Sequence, residues 1–447
     1  MSTVRAAALP CCLTILLVGV PRLIAQGSGK AVEDLKSPDS SRRARAAKEL
    51  AKKGTPADVP ALVTVLNDPE PKVRREVVVA LASIHAAESL DPLIVATRDE
   101  DTETRMLAVE GLVNFYVGQS GSRGFFGFFQ NTWKRAKGRF VKEELKIDPG
   151  VNVEPKVITA LVATMNDTEA IEPARRAAGG LGILRANAAV PDLVKAAHSP
   201  DENLALEAIV ALSKIQDLSA GPQLIDLLDS ETGEVRQEAA VTVGILRTSE
   251  AVPKLQTMYE KGGGRTTQLR ALDGLAYIGN PVSVPLFLKA LWDPDKAFRA
   301  RAAEGLARAR DEKGLPDLEK AVNAEKDAEP RFAMMFAITS LGRMDYLSDL
   351  VNGLSSTLRG GIVESYVIEL TRNPQMLARL YPFLNSRDAD VRRRMCTVLM
   401  YNGDASSIPY LEQLSQDSKG DVATEALRAL RAVRLRAGTS APATPPQ

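Results

Sequence analysis

A motif recurs about every 31 residues along this chain, and a period of that length restricts the chain to stacked copies of one supersecondary unit. Each copy has an aspartate-containing turn, then a Val-Arg or similar pair, then spaced apolar residues. Val73-Arg74, Thr104-Arg105, Val235-Arg236, Phe298-Arg299, Pro330-Arg331 and Val391-Arg392 are instances. With the arginine as position zero, apolar residues follow at +3, +7 and +10. These are Val77, Leu81 and Ile84 after Arg74, Ala239, Val243 and Leu246 after Arg236, and Met334, Ile338 and Leu341 after Arg331. That spacing is one face of an α-helix. Position zero falls at residues 43, 74, 105, 174, 205, 236, 268, 299, 331, 360, 392 and 423. The steps are 31 or 32 residues, except for 29 between 331 and 360 and 69 between 105 and 174. The long step is one period plus an insertion of 38 residues.

A first helix precedes each of these. Pro60, Pro92, Pro191, Pro222, Pro253, Pro285, Pro316 and Pro409 stand 13 to 15 residues before position zero. Proline suits the first turn of a helix, where its missing N–H would have had no partner. Each unit therefore reads as helix, Asp/Pro turn, helix. One such hairpin cannot bury its apolar faces alone, so neighbours must stack into a continuous core. The abundance of Ala and Leu and the 5% aromatic content fit close helix packing better than a β-rich fold.

The first-helix proline, the turn aspartate and the Val-Arg opening the second helix resemble the HEAT-repeat family, particularly the short bacterial type named after phycobilisome lyases. Asp68/Arg74, Asp99/Arg105 and Asp293/Arg299 have the six-residue spacing typical of that family. The resemblance spans roughly residues 31–436. It implies an all-α fold: a right-handed α-solenoid of about twelve HEAT-like helical hairpins, an ARM/HEAT superhelix with one inserted segment. It implies little about activity, because such repeats serve unrelated functions. Position zero is Ala174, Ala205, Gln268, Gly360 and Ala423 in five units, and Gly360-Gly361 reads as a bend in the weak unit at 346–376. The Asp and Arg pairs read as a structural ladder.

Residues 1–26 read as a signal peptide: Arg5, an apolar stretch from Ala6 to Val20, then Ile24-Ala25-Gln26 as a cleavage site. Arg22 is awkward in a cleaved signal, so an uncleaved N-terminal anchor is the alternative. The domain organisation expected is 27–114 for repeats 1 to 3, 115–154 for the insertion, 155–436 for repeats 4 to 12, and 437–447 for a disordered tail. Cleavage would leave Cys396 as the remaining cysteine, which excludes an intrachain disulfide or a cysteine metal cluster.

The search for chemistry returns little. His85 and His198 have no HExxH, HxH or HxxxH partner, and the chain has no His-Glu dipeptide of the kind with which some HEAT-repeat enzymes hold iron. No cofactor or metal is expected. Gly262-Gly263-Gly264-Arg265 lies between the helices of one repeat and reads as a turn rather than a phosphate loop. Formal charge is +1, from 57 basic and 56 acidic residues, so no global field draws nucleic acid. The +2 residues of the second helices should face the inner surface. In order they are Arg45, Glu76, Leu107, Arg176, Glu207, Glu238, Arg270, Arg301, Ala333, Ile362, Arg394 and Glu425. Their mixed signs suit a protein partner better than nucleic acid, whose trough should be basic.

The insertion is the distinctive segment. Eight of the chain's 21 aromatics lie between Phe115 and Phe140, with no acidic residue from 115 to 142. The candidate binding residues are Phe125, Phe126, Phe128, Phe129, Trp133, Lys134, Arg135, Lys137, Arg139 and Phe140. A basic helix with an aromatic face has three readings: it packs on its own solenoid, docks a protein partner, or lies in a membrane interface. The function expected is a non-enzymatic exported scaffold, periplasmic or secreted, that binds a protein. The alternatives are a peripheral membrane protein using the insertion, and a bilin-lyase-like enzyme suggested only by the resemblance.

Overall fold

The computed structural model describes residues 25–119, 147–167 and 169–438. Every regular element among them is helical, and they alternate as first and second helices of successive hairpins. The chain divides into two compact units, Met1–Pro92 and Leu93–Gln447. In the first, helices Ala25–Asp34 and Ser40–Lys53 form repeat 1, and Val59–Val63 with Pro71–Ile84 form repeat 2. The second begins with the helix Thr102–Gln119 of repeat 3 and continues through repeats 4 to 12, ending at the helix Gly420–Arg436. The expected all-α HEAT-type solenoid is the fold observed.

Local chemistry fixes each hairpin. Pro60, Pro191, Pro253, Pro285, Pro316 and Pro409 each sit at the second residue of a first helix, where the absent N–H removes no helical bond. Repeat 6 differs, with 3₁₀ turns at Leu218–Leu224 and Asp226–Asp229 in place of an α-helix. There Gly221 lies so close to Thr248 that a side chain would collide with it. Position zero is the fourth residue in eleven of the twelve second helices described. The +3 and +7 residues point inward: Val77, Leu81, Ala239, Val243, Met334 and Ile338 are essentially fully buried.

The weak unit corrects the sequence register. Its second helix is Gly360–Leu370, so Gly360-Gly361 form a helical first turn rather than a bend. The fourth residue is Val363, which places Tyr366 and Leu370 at the buried +3 and +7 positions. The +2 residue there is Ser365, not Ile362. Val363 in place of the zero arginine hid the register. Gly360 is needed for packing, because a Cβ there would lie 2.7 Å from the Leu354 carbonyl oxygen and would also crowd Arg394.

Turn acids divide into two roles. Asp39, Asp201, Asp295 and Asp388, four residues before position zero, cap their own helix by accepting a backbone N–H in its first turn. Acids six residues before position zero, or seven in the case of Asp167, serve the preceding repeat instead. Asp68 receives Arg43 (Nε–Oδ2 2.6 Å, Nη2–Oδ1 2.9 Å), and Asp417 receives Arg392 (2.8 and 3.0 Å). Glu325 receives Arg299 (2.6 and 2.9 Å), and Asp167 receives Arg105 (2.7 Å). The Nη1 of Arg43, Arg299 and Arg392 meanwhile donates to the carbonyl six residues back, at Ser37, Asp293 and Ser386. Arginine and acid are therefore linked between repeats, while the intra-repeat six-residue spacing acts through the backbone carbonyl.

A second recurring device closes the helices. His85, Arg185, Gln216, Arg247 and Arg310 all have left-handed φ between 49° and 62°, and Gly279 and Gly342 also have positive φ. Each stands eleven residues after position zero, at the helix C-terminus where glycine is the relaxed choice.

Two stability predictions result. Gln216, exposed and left-handed (φ 62°), gains by losing its Cβ: Gln216→Gly should raise stability by about 0.5–1 kcal/mol, and Gln216→Val should lower it. Arg392→Met removes a half-buried bidentate link and should cost about 1–3 kcal/mol. Urea melts of both, followed by circular dichroism, check the signs.

Candidate functional site

The ten insertion residues singled out from the sequence, Phe125, Phe126, Phe128, Phe129, Trp133, Lys134, Arg135, Lys137, Arg139 and Phe140, lie outside the described residues. What flanks them is well placed. Phe115 and Tyr116 belong to the helix of repeat 3, and Tyr116 is buried, its hydroxyl accepting from the Glu154 N–H at 3.1 Å. The Ile147 N–H donates to the Ile183 carbonyl, seating the returning chain on repeat 4. The next residue, Asp148, meets Arg428 of repeat 12 (Nη2–Oδ1 2.8 Å, Nε–Oδ2 3.3 Å), 280 residues away in sequence.

The +2 face of the second helices in the second unit, expected from the sequence to be the inner one, carries a network of ion pairs. Its +2 arginines each meet a carboxylate: Arg176 with Glu110, Arg270 with Asp273 (3.1 Å), Arg301 with Asp273 (2.8 Å), and Arg394 with Glu364 (3.1 Å). At the centre is Glu304, fully buried on the helix Lys296–Ala309. It holds Arg301, accepts the Tyr366 hydroxyl at 2.6 Å and pairs with Arg308 at 3.3 Å. Arg308 also forks onto Glu369, with both bonds at 2.9 Å, and lies 4.8 Å from the centre of the Tyr277 ring. Tyr366 and Glu369 belong to repeat 10, so these contacts cross repeat 9. Ala333 and Ala337 make that possible: both are fully buried on the intervening helix Ala328–Ser340 and keep its face low. Tyr366 stacks on Phe336 of that helix, with centroids 4.7 Å apart.

Burial and pairing set the protonation states. Burial pushes Glu304 up, but Arg301, Arg308 and the Tyr366 hydrogen bond outweigh it, leaving the carboxyl below its usual range. Burial pulls Arg308 down, yet Glu304 and Glu369 raise it overall. Burial, with Glu304 beside it, lifts Tyr277 to about 12. This cluster is an internally neutralised lattice. Its acids at +5, Glu110, Asp273 and Glu304, were missed in the sequence. An Arg at +2 followed by an acid at +5, as in Arg270/Asp273 and Arg301/Glu304, was the available signal.

Other chemistry-bearing groups are tied down. Burial raises the Cys396 thiol to about 12, the opposite of an activated nucleophile. His198 bonds the Val194 carbonyl and Asp226 (3.1 Å), and these raise its pKa against the lowering effect of burial. Among the described residues no group of three or more His, Cys, Asp or Glu is placed to hold a metal ion.

Glu207 is different. Burial raises it to about 7; Lys214 and Arg175 oppose the shift, and Glu238 and Glu172 add to it. Its folded pKa exceeds the reference 4.5, so its stabilising contribution is full below pH 4.5 and is lost as pH rises through 7. Glu207→Gln should therefore stabilise the chain by about 1–3 kcal/mol at pH 8 and change little at pH 4.5, as thermal melts at the two pH values would register.

The fold and this face define a helical-hairpin repeat protein held together by inter-repeat arginine–carboxylate pairs. A profile of HEAT repeats matches residues 30–113, 158–244 and 265–339, more than half of the chain, and the chain belongs to the HEAT-repeat family. Three solved structures are similar in fold. An engineered protein is 20% identical with a TM-score of 0.34, covering 91% of this chain and 99% of that one. The complex of CpcE and CpcF of phycocyanin lyase from Nostoc sp. PCC7120 is 20% identical with a TM-score of 0.33, covering 56% and 94%. YibA of E. coli is 17% identical with a TM-score of 0.40, covering 69% and 98%. No curated protein sequence matches significantly.

Proposed function

We propose that this chain is a non-enzymatic, exported HEAT-repeat scaffold that binds a protein partner. The observation that carries the reading is the consumption of reactive groups by the fold itself. The inner-face acids and arginines neutralise one another, and the Cys396 thiol is buried with its pKa at about 12. HEAT arrays commonly mediate protein–protein interaction, and stacked repeats create extended surfaces for it. Export rests on the first 26 residues of the sequence. The aromatic and basic residues at 125–140 supply the composition of a partner hot spot.

Peripheral membrane association through the same segment is the second reading, favoured by its basic residues beside Phe and Trp. Among the described residues no helix is long and apolar enough to cross a membrane.

The test uses cells fractionated into cytosol and envelope, with the mature N-terminus sequenced. The scaffold reading expects an exported chain beginning after residue 26 and one crosslinked protein that is lost when residues 119–148 become a Gly/Ser link. A cytosolic chain with Met1 intact overturns export. Binding to anionic liposomes that disappears with salt, without a protein partner, moves the function to the membrane.

A further inference from the structure

The cleft between repeats 6 and 7 joins two features of the sequence: an arginine at position zero and a run of three glycines. Arg236 is the fourth residue of its helix, Gly233–Ile245, as in the ladder repeats. Its Nη1 donates to the Ser230 carbonyl six residues back at 2.5 Å, the same anchor used by Arg43, Arg299 and Arg392. In those three repeats the same anchor leaves Nε and Nη2 for the next repeat, and the Arg236 side chain lines the cleft facing repeat 7. In other repeats this edge meets an acid three residues before the next second helix: Asp68, Glu325 and Asp417. In repeat 7 that residue is Gly262, followed by Gly263 and Gly264, ahead of the helix Arg265–Ile278. Among the described residues no carboxylate pairs with Arg236.

The surroundings form an open cleft of about 540 Å³ whose charged lining residues are Asp229, Arg236, Lys254 and Lys261, with Gly262, Gly263 and Thr267 beside them. Lys254 is held by Asp229 at 2.5 Å, so that pair is neutral. Arg236 and Lys261 leave the lining positive. Thr267 accepts from the Gln237 amide at 3.2 Å and has its own proton left to donate. A Cβ built on Gly263 or Gly264 meets nothing within 4 Å, so the loop keeps open a space that side chains could have filled.

Two neighbours show that the pattern is specific. Repeat 7 has Gln268 at position zero, yet the turn acid of repeat 8, Asp293, is still met: Arg265 reaches it from one turn earlier at 2.5 and 3.2 Å. Arg331 also lacks a turn acid ahead of it, but its side chain is exposed in solvent. Arg236 alone of these is anchored, half-buried and directed into a cleft.

We propose that this cleft is a carboxylate-binding site, in which a ligand's carboxylate takes the place on Arg236 that the turn acid occupies in other repeats. The planar fork of a guanidinium matches a carboxylate with two parallel bonds. The cleft volume lies within the range of small-molecule pockets, about 300–1,000 Å³. The carboxylate has two sources, a free small acid or the acidic side chain of a peptide. The site goes beyond the scaffold reading and stands or falls without it.

Calorimetric titration of the full chain with sodium acetate, with the blocked peptide acetyl-Gly-Asp-Gly-amide and with inorganic phosphate tests this. Saturable binding of acetate or the peptide is expected. Tighter binding of the peptide assigns the site to an acidic protein segment, and equal binding assigns it to a small acid; both support the site. Arg236→Lys keeps the charge but loses the fork and should weaken carboxylate binding about tenfold or more. Lys261→Met, at an exposed helix end, should weaken it several-fold, and Arg331→Lys should leave it unchanged. Circular dichroism confirms that each variant folds. Binding of no carboxylate probe, binding unaffected by either cleft variant, or saturation by phosphate alone overturns the proposal.

Discussion

The bidentate arginine–acid link between successive hairpins is the interaction on which this array depends. An isolated hairpin has two apolar faces and no core, so its stability comes from its neighbours. Apolar packing supplies most of the free energy but little direction, because stripes of Ala and Leu can slide. The arginine supplies the direction. Its Nη1 is fixed to a carbonyl of its own turn and its other edge to an acid one repeat later, as at Arg43, Arg299 and Arg392. Because the first bond holds the guanidinium in place, a slip between repeats would break both arms of the fork to the acid at once. Where the helices meet most closely, glycine sets the distance: a Cβ on Gly244 would lie 2.5 Å from the Gly274 Cα in the next repeat.

A second layer of coupling lies on the inner face of the larger unit. Nearest-neighbour stacking alone would let repeats unfold from the ends. The Glu304–Tyr366 and Arg308–Glu369 bonds reach across an intervening repeat, and Asp148–Arg428 joins the chain before repeat 4 to repeat 12. Such links raise the sequence separation of contacts and make distant repeats share one unfolding event. They also occupy the inner face with ion pairs, so a partner there would compete with existing bonds rather than meet free charges.

The period, the helix registers and the core positions were legible because they rest on spacing. Val77, Leu81, Ala239 and Val243 follow from 3.6-residue periodicity alone, and the structure buries each of them. Register failed at Gly360, where Val363 stands at position zero in place of the arginine that marks it elsewhere. The left-handed helix ends were hidden for a related reason: glycine signals that conformation, but His85, Arg185, Gln216, Arg247 and Arg310 adopt it without the signal. The inner-face network was only half visible. Its +2 arginines were placed correctly, but their partners at +5 and across two repeats depend on how tightly the helices curve, which no local pattern encodes.

Repeats that lose the ladder show what a cost-free loss looks like. Position zero at 174 and 205 is alanine, fully or nearly buried, and no unpaired charge is left behind. At Arg236 the acid is lost and the arginine is kept, half-buried and still anchored to Ser230. A partly desolvated guanidinium edge without an acid costs free energy that alanine would avoid. The same repeat pair also replaces the acid with Gly262, packed against the Met258 carbonyl and Thr267, and follows it with Gly263 and Gly264, beside which space stays open. Packing alone accounts for the alanine positions. It gives no reason to hold a cation at the mouth of a cleft, and that asymmetry makes the repeat 6–7 junction chemically distinct from the rest of the ladder.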